Sequence, residues 1–245
     1  MKKTLLILLI LLGSSTVFAQ DNQEQTDEKV FSAGADIVSR YYWRGQTLAD
    51  APCIQPNATV SLGGFSFQIW GSYAFDASYS IANEVNFIAE YAFDLPSDMT
   101  VTVGFEDYYY PNAGLGFLNF RNHDDPLGPG AHLVAAKVQF DGPESFPLSL
   151  YANLNLYNDP GSNSYFEVSY AWQIEETGIS VFAGVTPGSS KNYNYYFTDE
   201  FALVHLGATV SREIKITESF SLPVSVTWGL NPKMDVSHLV FGITL

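Results

Sequence analysis

The chain has 245 residues, with 11 Lys+Arg against 26 Asp+Glu and a formal net charge of −15. A chain this acidic is a poor partner for nucleic acid or an anionic membrane surface. Its one cysteine, Cys53, excludes an internal disulfide and reads as a small buried residue.

The first element is a leader. Lys2 and Lys3 form a positive n-region, Leu5 to Leu12 an apolar stretch, and Val17-Phe18-Ala19 a small-residue cleavage site. Residues 1–19 therefore read as a secretory signal peptide, its apolar core too short for a membrane span. Without its two lysines, 9 basic residues face the 26 acidic ones. Residues 20–29, QDNQEQTDEK, are a polar lead-in.

From residue 30 the chain alternates with period 2, the signature of strands. In the second segment Ile54, Pro56, Ala58, Val60 and Leu62 share one face, and Gln55, Asn57, Thr59 and Ser61 the other. The pattern predicts twelve strands: 30–45, 54–63, 65–75, 83–94, 99–111, 131–141, 147–157, 163–174, 179–187, 201–214, 219–230 and 237–245. Most exceed the usual soluble strand and match the roughly 9–11 residues of a tilted membrane strand. Tight turns such as Gly63-Gly64 alternate with longer loops, the longest over 112–130.

This combination predicts an all-β fold over 30–245: an antiparallel transmembrane barrel of about twelve strands, of outer-membrane type. On its outward faces, Tyr41, Trp43, Tyr73, Tyr109 and Trp228 fall at the loop side, and Phe93, Tyr170 and Trp172 at the turn side. Two aromatic girdles around an aliphatic band fit a membrane barrel. The competing reading is a secreted β-sandwich or lipocalin-like barrel, which has no reason to sort its aromatics this way.

The polar faces supply the candidate lumen: Asp36, Arg40, Tyr42, Arg44, Glu84, Glu90, Glu106, Lys137, Glu167 and His205. Arg40 and Arg44 are expected to point inward, because Arg on the lipid face costs roughly 2–4 kcal/mol near the midplane. They either face acidic groups across a constriction or simply pair with Asp36 and neighbouring acids to fill a narrow barrel. The stretch Arg121, His123, Asp124, Asp125 in the long loop could hold a metal or fold inward, but a surface loop is the commoner outcome. The four histidines, 123, 132, 205 and 238, lie in separate segments and form no recognisable triad. No catalytic residue, metal site or cofactor is expected, and no enzyme activity.

One motif is more specific. Ser39-Arg40-Tyr41-Tyr42-Trp43-Arg44-Gly45-Gln46-Thr47, then Pro52, Ile54 and Gln55, resembles the N-terminal signature of the TorF-like porin family, also known as the bacterial family of unknown function Gcw_chp. "IWGSYAFD", residues 69–76, resembles that family's next strand. Pro56 and the terminal Leu245 depart from the pattern. The resemblance implies an outer-membrane barrel and no established substrate.

The expected function is a passive diffusion channel for small polar or cationic solutes in the outer membrane. Its expected partners are outer-membrane lipid, those solutes, and the barrel assembly machinery acting on the C-terminal strand. The alternatives are a closed barrel that binds a ligand or surface partner, and, more distantly, an outer-membrane hydrolase.

Overall fold

The computed structural model describes residues 30–189 and 194–245. The leader, the polar lead-in and residues 190–193, between the strands expected over 179–187 and 201–214 in a tyrosine-rich stretch, lie outside them. The strands, in chain order, are β1 (Val30–Val38), β2 (Tyr41–Trp43), β3 (Gln46–Ala49), β4 (Cys53–Leu62), β5 (Phe65–Ala74), β6 (Glu84–Leu95), β7 (Met99–Tyr109), β8 (His132–Asp141), β9 (Leu148–Tyr157), β10 (Ser164–Ile174), β11 (Thr177–Thr186), β12 (Ala202–Lys215), β13 (Ser221–Asn231) and β14 (Val236–Thr244). A 3-10 turn, Ala77–Ala82, joins β5 to β6, with the Asp76 carboxylate accepting from the Ser78 amide.

Twelve of these strands close into one antiparallel barrel, from β1 through β4 to β14 and back to β1. Closure removes every free sheet edge, the only way a β-structure can satisfy its backbone without water. The seam runs from Asp36↔Thr244 to Val38↔Gly242, and the Leu245 amide extends it by donating to the Ala35 carbonyl. On its other side β1 pairs with β4 along its whole length, Val30↔Ser61 to Val38↔Cys53.

Period 2 decides which side chains enter the barrel. Inward positions are polar and satisfy one another across strands. Thr209 and Thr227 share a hydrogen bond of 2.8 Å, and Gln68 donates to Thr59 at 3.1 Å. Outward positions are apolar and exposed all round the wall, among them Phe67, Phe105, Leu154, Val181, Val226 and Phe241. This is the inverse of a water-soluble barrel, whose apolar face is its core. Tyr73, Phe93, Trp172 and Trp228 are exposed on this outer surface, with Tyr109 and Tyr170 partly covered.

Eleven wall strands lie within two residues of the ranges read from the sequence. The first does not. The single strand expected over 30–45 ends at Val38, and the chain then leaves the wall. Residues 46–49, expected in an external loop, form the returning strand of a small separate sheet with β2.

The long loop after β7 stays outside the barrel. Phe117 packs edge-on against Phe87 and Tyr109, and Phe120 stacks on His132 with ring centroids 4.3 Å apart. His132 lies between Asp107, 2.8 Å from Nδ1, and the Phe117 carbonyl, 2.6 Å from Nε2. The loop is a flap on the outer wall and not an inward constriction.

Barrel closure has a direct chemical test. In a Cys53→Ser background, Ile37→Cys and Ile243→Cys place thiols on register partners of the first and last strands. Such partners have Cα atoms about 5.5 Å apart, within disulfide range. Mild oxidation is expected to give a cross-linked monomer of altered mobility on a non-reducing gel. Absence of the cross-link in folded protein would contradict the register.

Candidate functional site in the lumen

After Val38 the chain turns into the barrel as the hairpin β2–β3. Its two central residues are Arg44 (φ 46°) and Gly45 (φ 83°). Positive φ at both positions is the mirror-image turn that suits tight hairpins. Gly45 is required twice over: a Cβ there would lie 1.9 Å from the Val204 carbonyl oxygen of β12. The hairpin reaches side chains from most of the wall. Tyr41 donates to Glu84 of β6 at 2.8 Å, Tyr42 lies beside His205 of β12 and His238 of β14, and Trp43 stacks on Tyr196.

Arg44 holds the tip. Its Nη1 donates to Tyr196 Oη (2.8 Å) and Asn153 Oδ1 (3.3 Å), and its Nη2 to Tyr151 Oη (2.9 Å). The guanidinium carbon lies 4.6 Å from the ring centres of Trp43 and Tyr165 and 5.4 Å from that of Tyr151. No carboxylate lies within ion-pair distance of Arg44 among the described residues. The cation is held by neutral oxygens and π faces, which a lysine could not match because it lacks the planar fork. Gln46 ties the same end to the rim by donating to the Tyr195 carbonyl at 2.8 Å. Burial and the Asp159 carboxylate push the Tyr195 phenol, in the loop, up to about 12, so it stays neutral.

The base of the hairpin has different chemistry. Arg40 forms an ion pair with Asp50 at 3.1 Å, and its Nη1 also lies 3.4 Å from His238 Nδ1. Thr47 Oγ1 lies 3.2 Å from that same nitrogen. Tyr42 sits between two imidazoles, its ring centre 5.5 Å from His205 and 5.5 Å from His238. Beyond it, His205 Nδ1 lies 2.9 Å from Glu167 Oε2 and 2.8 Å from Tyr165 Oη, and Tyr165 donates to Glu167. His205 faces inward in step with Gly207, Thr209 and Ser211, and the β11–β12 ladder is irregular just beyond it, between Gly184 and Val185.

Beneath the hairpin lies a cavity of about 410 Å³. Nine of the ten lumen residues expected from the sequence line it: Asp36, Arg40, Tyr42, Arg44, Glu90, Glu106, Lys137, Glu167 and His205. The tenth, Glu84, is buried behind Tyr41 and away from the cavity. Lys137 is paired with Glu90 at 2.6 Å. Three carboxylates on the wall meet neutral donors instead. Thr244 donates to Asp36 (2.6 Å), Gln139 and Ser149 donate to Asp141 (2.8 and 2.7 Å), and Asn86 and Tyr108 donate to Glu106 (3.0 and 2.9 Å).

Residues 22–221 match the family described as "Bacterial protein of unknown function (Gcw_chp)". The chain belongs to the Gcw_chp family. No curated protein matches it. The motif that carries the resemblance, residues 39–47, is the plugging hairpin of this Gcw_chp protein and not the end of a wall strand.

Two expectations are corrected accordingly. Tyr41 and Trp43 do not join the outer girdle. Tyr41 is 4% exposed and bonded to Glu84, and Trp43 is wrapped round Arg44. Arg40 pairs with Asp50 and not with Asp36. Tyr151, Asn153, Tyr196, Asp50 and His238 take part in the site without being singled out beforehand. The first three lie on polar faces or a tyrosine-rich loop, but nothing local in the sequence says that they converge on Arg44. The stretch Arg121–Asp125 gathers no metal cluster, and among the described residues no group of three or more His, Cys, Asp or Glu could hold one.

Gly45→Ala is expected to destabilise the protein by more than ~1 kcal/mol, because it strains the turn and drives a methyl into the Val204 carbonyl. Arg44→Lys keeps the charge but loses the fork, and is expected to free the hairpin without dismantling the wall. Denaturant unfolding reads the first. Loss of near-ultraviolet aromatic dichroism at unchanged strand content reads the second.

Proposed function

We propose that this Gcw_chp protein is an outer-membrane channel for small polar or cationic solutes, shut in this conformation by the hairpin β2–β3. The observation that carries the reading is the inversion of polarity: an apolar, exposed outer wall around a charged, hydrogen-bonded lumen. Only a bilayer makes that wall favourable, which also supports outer-membrane residence and the porin reading suggested by residues 39–47. The signal peptide belongs to the same proposal, as does recognition of the C-terminal strand by the barrel assembly machinery.

The solute class follows from the wall charges. Lys137 and Arg40 are matched by Glu90 and Asp50, and Glu106 shares the charge of Lys137, whereas Asp36 and Asp141 are held only by neutral donors. The surplus is negative, so cations and neutral polar molecules pass more readily than anions. On this reading the protein is not an enzyme. A second reading, a closed barrel that binds a ligand or partner, draws on how firmly Arg44 and Gly45 seat the hairpin across the lumen.

Planar-bilayer recordings separate the two. Replacing residues 41–49 with a short Gly-Ser linker is expected to raise conductance severalfold over the intact protein, with reversal potentials showing cation preference. Asp36→Asn with Asp141→Asn is expected to weaken that preference. A hairpin-free barrel that inserts but passes no current would favour the binding reading, and anion preference would overturn the solute class.

A further inference from the structure

We propose that His238 is the release catch of the hairpin, and that acidification on the loop side frees β2–β3 from the lumen. The inference deepens the channel reading, and rests on it only for the consequence, an opened path.

The geometry fixes the proton on His238. Arg40 can only donate, and its Nη1 lies 3.4 Å from His238 Nδ1. Nδ1 must therefore offer a lone pair, and the ring must be neutral with its proton on Nε2. Thr47, on the returning strand, directs its hydroxyl at the same nitrogen from 3.2 Å. One lone pair on the last wall strand thus gathers both arms of the hairpin at its base. A proton from the medium that takes this lone pair ends the Arg40 bond. It also sets an imidazolium against a guanidinium at hydrogen-bond distance.

The surroundings offset the added charge only in part. Asp50, the carboxylate nearest the pair, is already bound to Arg40 at 3.1 Å and is more exposed than its partner. Tyr42 stands between His238 and His205, and the Glu167 carboxylate beyond lies against His205 and Tyr165. Gly229, the register partner of His238 on β13, brings no charge of its own. The loop-side position leaves Arg40 and His238 partly exposed, so the external medium reaches them. Arg44 at the tip has no carboxylate partner to hold it once the base is driven off.

The test follows the hairpin directly in the refolded full-length protein. Ala49 is 1% exposed in the closed conformation. In a Cys53→Ser background, thiol labelling of Ala49→Cys is compared with that of Thr217→Cys, which is exposed in a turn. The ratio corrects for the pH dependence of the reagent. Between about pH 7.5 and about pH 5, where histidine changes charge, the ratio is expected to rise about tenfold. His238→Gln keeps a neutral acceptor and is expected to stay slow at both pH values. His238→Lys carries a fixed charge and is expected to label fast at both. His205→Gln is expected to keep the response.

A pH response that survives in His238→Gln, a His238→Lys protein that stays closed at both pH values, or a flat ratio in the parent overturns the proposal. Labelling that responds while no current flows upholds the catch and counts against the channel. A hairpin-free barrel that conducts while the parent ratio stays flat does the reverse.

Discussion

A guanidinium enclosed in a barrel must find all its partners within reach of one turn, and the upper lumen is arranged round that need. Arg44 points into the barrel, partly covered, and its hydrogen bonds go to Tyr151, Asn153 and Tyr196. Those partners come from β9 and from the loop before β12, which fixes where the hairpin tip must lie. Trp43 and Tyr165 cover the faces of the cation, and Gly45 lets the turn press against the β12 backbone. The choice of neutral acceptors matters energetically. Removing one partner of a buried ion pair strands a charge at a cost of about 3–5 kcal/mol. Neutral hydrogen bonds to a charged group are worth about 1.5–3 kcal/mol each. A hairpin tip held by the second kind is firm yet can leave without abandoning a carboxylate of its own.

The same logic shapes the lower lumen with the signs reversed. Asp36 and Asp141 are carboxylates held by hydroxyls and amides, not by cations, and Glu106 has the same kind of donors beside Lys137. The lumen therefore keeps its charges apart instead of neutralising them: a cation at the hairpin tip and anions on the wall below. Separated charges in a narrow polar passage maintain a field, whereas paired ones cancel it. Lys137–Glu90, which meets across Gly104 on the inner face, and Arg40–Asp50 at the hairpin base are the exceptions.

The wall was legible in the sequence because barrel strands obey the simplest periodicity there is. Ile54 to Leu62 or Leu148 to Leu156 can be assigned to a face by counting alternate residues, and the register confirms those faces. The hairpin was not legible for the same reason. Tyr41, Tyr42, Trp43 and Arg44 continue the alternation of β1, but inside a lumen both faces of a strand are covered. Period 2 then no longer distinguishes the outer surface from the packed interior. The one local sign was Arg44-Gly45 between two short β-prone runs, a weaker hairpin signal than Asn-Gly or Asp-Gly. Convergence on Arg44 was illegible for a different cause. It depends on how far each strand is staggered against the next, which no single strand reveals.

Inward glycines in the wall record the bulky groups that the lumen must accept. A Cβ on Gly229 would meet Tyr42 Oη at 2.0 Å, and one on Gly184 would meet Tyr165 Oη at 2.0 Å. One on Gly104 would lie 2.7 Å from Glu90 Cγ. Each rigid ring could move only by giving up its place: Tyr165 its contacts with Glu167 and His205, and Tyr42 its seat between two imidazoles. Glycine weakens a strand and supplies no side chain to pack, so its use at these wall positions needs a steric reason. At Gly229 and Gly184 the wall is cut to the hairpin and its supporting tyrosine, and at Gly104 it makes room for Glu90. The closed arrangement is therefore part of the fold's own packing, and on the proposed reading any opening works against it, which leaves the few polar contacts at the hairpin's base as the place to control it.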